Sequence, residues 1–310
     1  MKQTKAITIA SYIIILTFLL MMCQIKSIKS LIIGSSINSL KHQYIARCFF
    51  SERTIKDTLD KNKVCELENN YINIIDFGEV KYEDKNIDIF NISKLNLKGY
   101  VALVYNPLSI KVGYSKYLPN IGETTSSIAK RNNAIIAINA GGFGCFSEKQ
   151  LNPMGVVIHD GEIIYNELND DNIKQDIVGF TKDGMLIVGK HSINELRDVG
   201  IKEAVTFGPP LIVNGKKVTI KGDGGWGIAP RTAIGQRENG TVILMTLRGK
   251  NLERAGATIK DVQDEMIKYK AINAVNLDGG NSATMFYGGN VLNKKESKEI
   301  KVPTIIFVEK

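Results

Sequence analysis

The residues of this 310-residue chain best suited to chemistry lie in the segment Asn276-Leu-Asp-Gly-Gly-Asn-Ser-Ala-Thr-Met285. Asp278 follows a strand that is too apolar to be solvated, so its carboxylate is a candidate catalytic group. The two glycines after it let the backbone approach a ligand closely and leave N–H groups to hold an anion. The candidate substrate-binding residues of this segment are Gly279, Gly280, Asn281 and Ser282. An Asp-Gly turn between two strands is the purely structural alternative.

A second segment, residues 225–235, supplies a positive charge. Arg231 stands between Pro230 and an apolar stretch, so its guanidinium is expected to be held in place. A planar, permanently charged fork is suited to a phosphate or a carboxylate, and a structural ion pair with an Asp is the alternative. Thr232 beside it is a candidate substrate contact. Trp226, the only Trp, is a candidate for stacking on a sugar ring, with core packing as the alternative.

A third segment, Asn139-Ala-Gly-Gly-Phe143, also ends an apolar strand, and strand ends are where binding residues usually lie. It adds Asn139, Gly141 and Gly142 as candidate substrate-binding residues. We expect Asn139 to face Asp278 as a polar contact.

Other catalytic machinery is absent from the sequence, which has no G-x-S-x-G, H-E-x-x-H or Walker motif. His42, His159 and His191 are scattered, so a three-His metal site is not predicted. An ordinary glycosidase uses two carboxylates, and Asp278 is the one convincing candidate. Whether a divalent cation binds near Asp278 stays open, because the sequence shows no recognisable set of metal ligands there.

The elements that must position these residues are mostly strands separated by turn residues. Four strand pairs are predicted: 99–105 with 110–114, 156–159 with 162–165, 177–180 with 185–188, and 211–213 with 216–220. Thr258 and Asp261 form a plausible capping pair for a helix ending near Lys270, and residues 126–131 form a shorter helix. The predicted fold class is α+β, with mixed, mostly antiparallel sheets and few helices.

The charge distribution argues against nucleic acid as a partner. Of the formal net charge of +8, residues 1–53 carry +6, which leaves +2 for the other 257 residues. A nucleic-acid-binding protein is expected to carry its basic patch on the folded body. The basic excess therefore fits a membrane-proximal segment.

The N-terminus predicts a membrane anchor. Residues 6–25 form a run of 20 residues without a charge, long enough for a helix to cross a bilayer. A cleaved signal or a lipid-modified Cys23 is the alternative. We divide the chain into a signal anchor (1–25), a juxtamembrane stalk (26–70) and a folded body (71–310). A Cys48–Cys65 bridge and free thiols both remain open.

Taken together, these segments resemble the phosphodiester glycosidase family over residues 99–308. The resemblance is carried by four ordered motifs: Asn139-Ala-Gly-Gly-Phe143, Gly208-Pro-Pro-Leu-Ile-Val-Asn-Gly215, Ala229-Pro-Arg-Thr-Ala-Ile-Gly235, and Asn276-Leu-Asp-Gly-Gly280 with Ser282, Thr284 and Met285. It implies hydrolysis of a sugar-1-phosphodiester on a phosphorylated glycan of the cell envelope or an exopolysaccharide. It also implies an extracytoplasmic body on a single N-terminal span. In this scheme Arg231 binds the phosphate, and Asp278 activates water or stabilises an oxocarbenium-like centre.

The chain departs from the family pattern at three positions. Arg248-Gly-Lys replaces the usual Asp-Gly-Arg, Ala283 interrupts the usual Ser-rich loop, and Ile300 stands where an Arg is common. Arg248 reverses a local charge. The alternative function is therefore a non-catalytic envelope protein that binds sugar phosphates and retains the fold.

Overall fold

The structure, a computed structural model, describes residues 17, 21, 25–37, 43–65, 72, 87–94, 97–147, 150–249, 256–294 and 298–310. The chain divides into two units: residues up to 65 together with 220–228, and residues 66–219 together with 229–310. The predicted span 6–25 lies almost wholly outside the described residues. Within the described ranges, no helix combines the length and the apolar character needed to cross a membrane.

The smaller unit contains three described helices, followed by turns and a β-bridge between Val64 and Ile220. Its helices are α1 (Lys26–Ile37), α2 (Gln43–Phe49) and α3 (Glu52–Lys61). One residue from each, Ile33, Ala46 and Ile55, is buried in a shared apolar cluster. Residues 26–61, which the sequence analysis assigned to a stalk, therefore contain three packed helices. Cys48 and Cys65 are free thiols.

The larger unit contains all the described strands. They are β1 (Ile87–Ser93), β2 (Leu97–Val104), β3 (Ile110–Tyr114), β4 (Glu123–Thr124), β5 (Ala134–Asn139), β6 (Phe143–Ser147), β7 (Gln150–Pro153), β8 (Val156–His159), β9 (Glu162–Asn166), β10 (Gln175–Thr181), β11 (Leu186–His191), β12 (Ile201–Thr206), β13 (Pro210–Val213), β14 (Lys216–Lys217), β15 (Arg231–Arg237), β16 (Val242–Gly249), β17 (Ala271–Leu277), β18 (Met285–Tyr287), β19 (Asn290–Val291), β20 (Lys301–Val302) and β21 (Thr304–Glu309). Its helices are α4 (Thr125–Arg131), α5 (Ile193–Asp198) and α6 (Ile259–Lys268), with short 3-10 turns at Pro107–Ser109 and Gly280–Ser282.

These strands form three larger sheets and two strand pairs. The seven-stranded sheet has the order β1-β2-β16-β15-β17-β13-β14. The five-stranded sheets have the orders β11-β10-β12-β8-β9 and β19-β18-β5-β21-β3. All the pairings among described strands are antiparallel, which confirms the α+β class with mostly antiparallel sheets.

Three of the four predicted strand pairs are confirmed, and the first is wrong. The pairs β8–β9, β10–β11 and β13–β14 form as expected. In two of them an Asp-Gly or Asn-Gly turn has both residues at positive φ, which suits a two-residue hairpin. In contrast, β2 pairs with β1 and β16, whereas β3 pairs with β21. The 3-10 turn between β2 and β3 passes the chain to another sheet.

The elements that position the candidate site are β5, β15, β17 and α6. The capping box predicted at Thr258 and Asp261 is present and starts α6. The apolar face of α6 is buried, and the helix packs against β17, β15 and β13. Central strands β15 and β17 are buried along nearly their whole length, so the residues just beyond their ends are held firmly.

Candidate active site

Asn139 joins the three segments that the sequence analysis singled out. Its Nδ2 donates to the backbone oxygen of Asp278 at 2.6 Å, and its Oδ1 accepts the Thr232 hydroxyl at 2.7 Å. The same Oδ1 accepts the Thr284 N–H at 3.0 Å. Asn139 and Thr232 are completely buried. The structure therefore gives both residues a positioning role, and their contact with substrate stays a prediction.

Asp278 lies just beyond the end of β17 and carries the perturbed carboxylate of the site. Its backbone N–H donates to the oxygen of Ala140 at 3.1 Å, which ties it to the end of β5. Burial raises the pKa of Asp278 to about 6, although hydrogen bonds from Ser282 and Gly279 and the charges of Arg231 and Lys294 oppose this shift. The Oδ2 atom is buried, and none of the described residues forms a hydrogen bond with it. A buried carboxylate with a raised pKa is typical of catalytic sites.

Arg231 is held in place, as the sequence predicted. It is the first residue of β15, is 5% exposed, and its Nε donates to the oxygen of Ala257 at 3.0 Å. Ala257 is itself fixed by paired backbone hydrogen bonds with Ala229. The Arg231 charge acts on Asp278 and favours its ionised form. A cation and a buried carboxylate are thus fixed beside each other.

Lys294 is a second cation of the site that the sequence analysis missed. Its Nζ donates to the oxygen of Asn281 at 2.6 Å, and its charge acts on Asp278. Burial lowers the pKa of Lys294 to about 8, against the opposing influence of Glu299 and Asp278. In the sequence, Lys294 is the first residue of a Lys-Lys-Glu run, which is typical of a solvent-exposed surface. No neighbouring residue therefore indicates that Lys294 lies at the site.

The glycines after Asp278 do not form the predicted anion cradle. The Gly279 N–H is hydrogen-bonded to Asp278, and the Gly280 N–H donates to the oxygen of Pro230 at 2.7 Å. Gly280 has a φ of 61°, which suits glycine. Ser282 is buried against the carboxylate, whereas Asn281 is exposed. The glycines serve to turn the chain tightly around Asp278.

Gly279→Ala is expected to damage the site through the neighbouring strand. A Cβ at Gly279 would lie 2.7 Å from the Pro230 oxygen, so the backbone just before Arg231 must shift. We expect a loss of about 1–3 kcal/mol in the free energy of unfolding, and activity at least about tenfold lower. Gly288→Ala is the control for activity: its φ of 56° disfavours Ala, so it too should lose stability, but no atom lies within 4 Å of the added Cβ. Thermal unfolding and turnover would check this, and equal activity in both variants would contradict it.

The remaining predicted residues are Gly141, Gly142 and Trp226. The Gly141 N–H donates to the Thr304 hydroxyl and the Gly142 N–H to the oxygen of Thr206, both at 3.0 Å. Gly142 also packs so closely on Phe207 that a Cβ would lie 2.7 Å from its ring. Trp226 belongs to the smaller unit. For these three residues, contact with substrate stays a prediction.

The described residues do not provide a set of metal ligands around Asp278, whose charged neighbours are the cations Arg231 and Lys294. The one group of potential ligands in the described ranges is His159, Asp160 and Glu203 at the β8–β9 turn. There His159 Nδ1 lies 3.1 Å from Glu203 Oε2. Glu203 also accepts two backbone N–H groups. Within the described ranges, the charged side chains that act on Asp278 are cations, which cannot serve as further ligands of a divalent ion.

The three departures from the family pattern occupy different environments. Ala283 is buried, and its oxygen accepts the Asn293 amide at 2.9 Å. Ile300 is 38% exposed. Arg248 lies near the end of β16, opposite Lys98 on β2, and its Nε is buried without an acceptor among the described residues.

Comparison with known proteins agrees with this arrangement. The family model described as phosphodiester glycosidase matches residues 132–309. The SPbeta prophage-derived uncharacterized protein YomE of Bacillus subtilis is 31% identical over 179 residues, which are 55% of this chain and 27% of YomE. Human N-acetylglucosamine-1-phosphodiester alpha-N-acetylglucosaminidase is 36% identical over 64 residues, 21% of this chain and 12% of that protein. The matches thus span about a quarter or less of these relatives.

A solved structure shares the fold. The catalytic domain of zebrafish N-acetylglucosamine-1-phosphodiester alpha-N-acetylglucosaminidase superposes with a TM-score of 0.60 at 22% identity, covering 73% of this chain and 83% of that domain. The family match covers more than half of the chain and includes the segments that carry Asn139, Arg231 and Asp278. The chain therefore belongs to the phosphodiester glycosidase family.

Proposed function

We propose that this protein hydrolyses sugar-1-phosphodiesters, with Asp278 as the catalytic carboxylate and Arg231 as the phosphate-binding cation. The observation that carries the proposal is a partly buried Asp278 whose pKa is raised to about 6 and on which the charges of Arg231 and Lys294 act. A site that attracts a phosphodiester needs positive charge, and a site that attacks a sugar carbon needs a base or nucleophile. This arrangement supplies both within one rigid group of strands.

The chemistry of the leaving group explains why one carboxylate suffices. A phosphate monoester is already a stable anion at neutral pH, so its departure requires little help from a general acid. Arg231 and Lys294 stabilise the negative charge that grows on the phosphate as the bond to the sugar carbon breaks. Ionised Asp278 accepts a proton from the attacking water. Asn139 holds the backbone of Asp278 in place through its 2.6 Å hydrogen bond.

The rate is expected to follow a bell-shaped pH profile. Asp278 must be ionised, so kcat/KM should rise as the pH passes about 6. Lys294 must be protonated, so the rate should fall as the pH passes about 8. In Lys294→Met the alkaline limb should disappear, and the acidic limb should move to higher pH because a cation that lowers the pKa of Asp278 is gone. An unchanged alkaline limb in Lys294→Met would contradict this role.

We further propose that the substrate is a phosphorylated glycan of the cell envelope or an exopolysaccharide, and that the protein acts outside the cytosol, anchored by residues 6–25. The membrane-length apolar run and the basic excess near it support this location. Fractionation of cells that produce the full chain, followed by protease treatment of intact cells, tests the location. Recovery of the protein in the soluble cytosol would contradict it.

The activity is tested with the full chain in detergent and a panel of sugar-1-phosphodiesters that differ in the sugar. Release of free sugar by the natural sequence, absent in Asp278→Asn, is the expected result. A folded protein that binds sugar phosphates but releases no sugar from any member of the panel would instead favour the non-catalytic glycan-binding function, which the Arg248 departure also suggests.

A further inference from the structure

A short hairpin brings the chain back to the turn that follows Asp278. Strands β18 and β19 pair antiparallel, and the Leu292 N–H then donates to the oxygen of Met285 at 2.8 Å, which extends the pairing by one residue. The next two residues along the chain are Asn293 and Lys294. Both of their side chains reach back to that turn.

The side-chain amide of Asn293 continues the hairpin pairing in place of a backbone amide. Its Oδ1 accepts the Met285 N–H, and its Nδ2 donates to the oxygen of Ala283, both at 2.9 Å. Asn293 is 5% exposed. If this side chain were removed, a backbone donor and a backbone acceptor would lose their partners in a buried place, which is costly. The amide therefore fastens its own segment to the turn.

Lys294 contacts the same turn two residues earlier. Its Nζ donates to the oxygen of Asn281 at 2.6 Å. Among the described residues, the charged groups that act on Lys294 are Asp278 and Glu299. A lysine ammonium is strongly hydrated and sits on a flexible stem, so it stays in a half-buried position only where its backbone is fixed. The residue that fixes this backbone is the preceding one, Asn293.

The turn is held from another side by Asn139. Its amide binds the oxygen of Asp278 and the N–H of Thr284, whereas Asn293 binds the two residues on either side of Thr284. The two buried asparagines thus divide the work. Asn139 fixes the backbone of the carboxylate, and Asn293 fixes the segment that carries Lys294.

We propose that Asn293 is a positioning residue of the active site, which acts on the reaction by holding the Lys294 ammonium where its charge reaches Asp278. This inference rests on the proposed function, in which Lys294 stabilises the charge that grows on the leaving phosphate. Without the Asn293 amide, the hairpin end separates from the turn. Lys294 then loses its contact with Asn281 and turns toward solvent.

The first experiment asks whether Asn293 acts through Lys294. The full chain in detergent is compared as the natural sequence, Asn293→Ala, Lys294→Met and the double variant, with rates on one sugar-1-phosphodiester corrected for the folded fraction. Each single change should lower kcat/KM about ten- to hundredfold, and the double variant should lie within about twofold of Lys294→Met. Effects that multiply would overturn the inference. Asn293→Ser replaces Asn293→Ala if the latter does not fold, with the same expected result.

Asn273→Ala is the matched control. Asn273 is 4% exposed and has the same pair of contacts, because its Oδ1 accepts the Asn214 N–H at 2.7 Å and its Nδ2 donates to the oxygen of Leu186 at 3.1 Å. Its loss should lower the unfolding temperature by a similar amount, while kcat/KM stays within about threefold of the natural sequence. An equal loss of activity in the control would mean that Asn293 acts through general stability, and would overturn the inference.

The second experiment measures the pKa of the Lys294 amine without reference to turnover. Competitive acetylation of the folded protein with labelled acetic anhydride over a range of pH, followed by peptide mass spectrometry, gives this pKa. We expect a pKa of about 8 in the natural sequence and in Asn273→Ala. In Asn293→Ala the pKa should move toward the ordinary value of 10.5, because burial is the main cause that lowers it. An unchanged pKa would overturn the inference.

The two measurements separate this inference from the proposed function. If sugar is released but Asn293→Ala retains the full rate, or acts independently of Lys294→Met, the positioning role is wrong and the hydrolase stands. If the natural sequence cleaves no sugar-1-phosphodiester, the hydrolase is wrong and acetylation decides. A raised pKa of Lys294 in Asn293→Ala then supports the placement of Lys294 by Asn293, and an equal pKa in both proteins refutes it.

Discussion

Asp278→Asn is expected to reduce hydrolysis of a sugar-1-phosphodiester by about 10³-fold or more, while making the folded protein more stable at neutral pH. The amide is nearly the same size as the carboxylate but cannot accept a proton from water. Turnover and thermal unfolding, measured on the same preparations, check the two halves of this result.

The stability gain should depend on pH in a defined direction. Burial raises the pKa of Asp278 to about 6 from its ordinary value, so the native state binds this proton more tightly than the unfolded chain does. Ionisation therefore costs native stability, which is lost as the pH rises from about 4 to 6. At pH 7.5 the Asn variant should gain about 2 kcal/mol, and at pH 4 it should gain nothing. A variant less stable at both pH values would contradict the assigned burial of this charge.

Arg231→Gln is expected to reduce kcat/KM by about 10²–10³-fold, because the cation stabilises the phosphate in the transition state. Arg231→Lys should recover part of that loss, since it restores the charge but not the planar fork. Turnover of one sugar-1-phosphodiester by each variant, corrected for the folded fraction, measures the effect.

Arg237→Gln is the matched control for this prediction. Arg237 ends the same strand, β15, and its Nε donates to the oxygen of Tyr269 at 2.8 Å, much as Arg231 donates to Ala257. Loss of stability should be similar in the two variants, whereas loss of activity should be confined to position 231. If both variants lose activity equally, Arg231 acts through the fold and not through the phosphate.

The placement of Asp278 was predictable because its signals are local. An apolar strand followed by Asp-Gly-Gly marks a strand end with a tight turn, and β17 ends at Leu277 as expected. The capping box of α6 and three of the hairpins depend on equally local residues. The predicted pairing of β2 with β3 was wrong because β3 pairs with β21, about 190 residues further along the chain. Turn residues indicate pairing only between strands that are neighbours in the sequence.

The roles of the site residues were harder to predict than their positions. Asn139 has the right location, but its burial depends on strands β5, β15 and β17 meeting, which no single segment reveals. Lys294 appears in the sequence as part of a charged surface run. Only the contact with Asn281 and the nearness of Asp278 give it a role.

The measurement that tests the central claim most directly is hydrolysis of a sugar-1-phosphodiester in ¹⁸O-labelled water, followed by mass spectrometry of both products. Attack at the sugar carbon, as proposed for Asp278 and Arg231, places the label in the released sugar and leaves the phosphate unlabelled. The natural sequence should give this result, and Asp278→Asn should give no product above background. Label in the phosphate would mean attack at phosphorus, and would contradict the assignment of this protein as a working phosphodiester glycosidase.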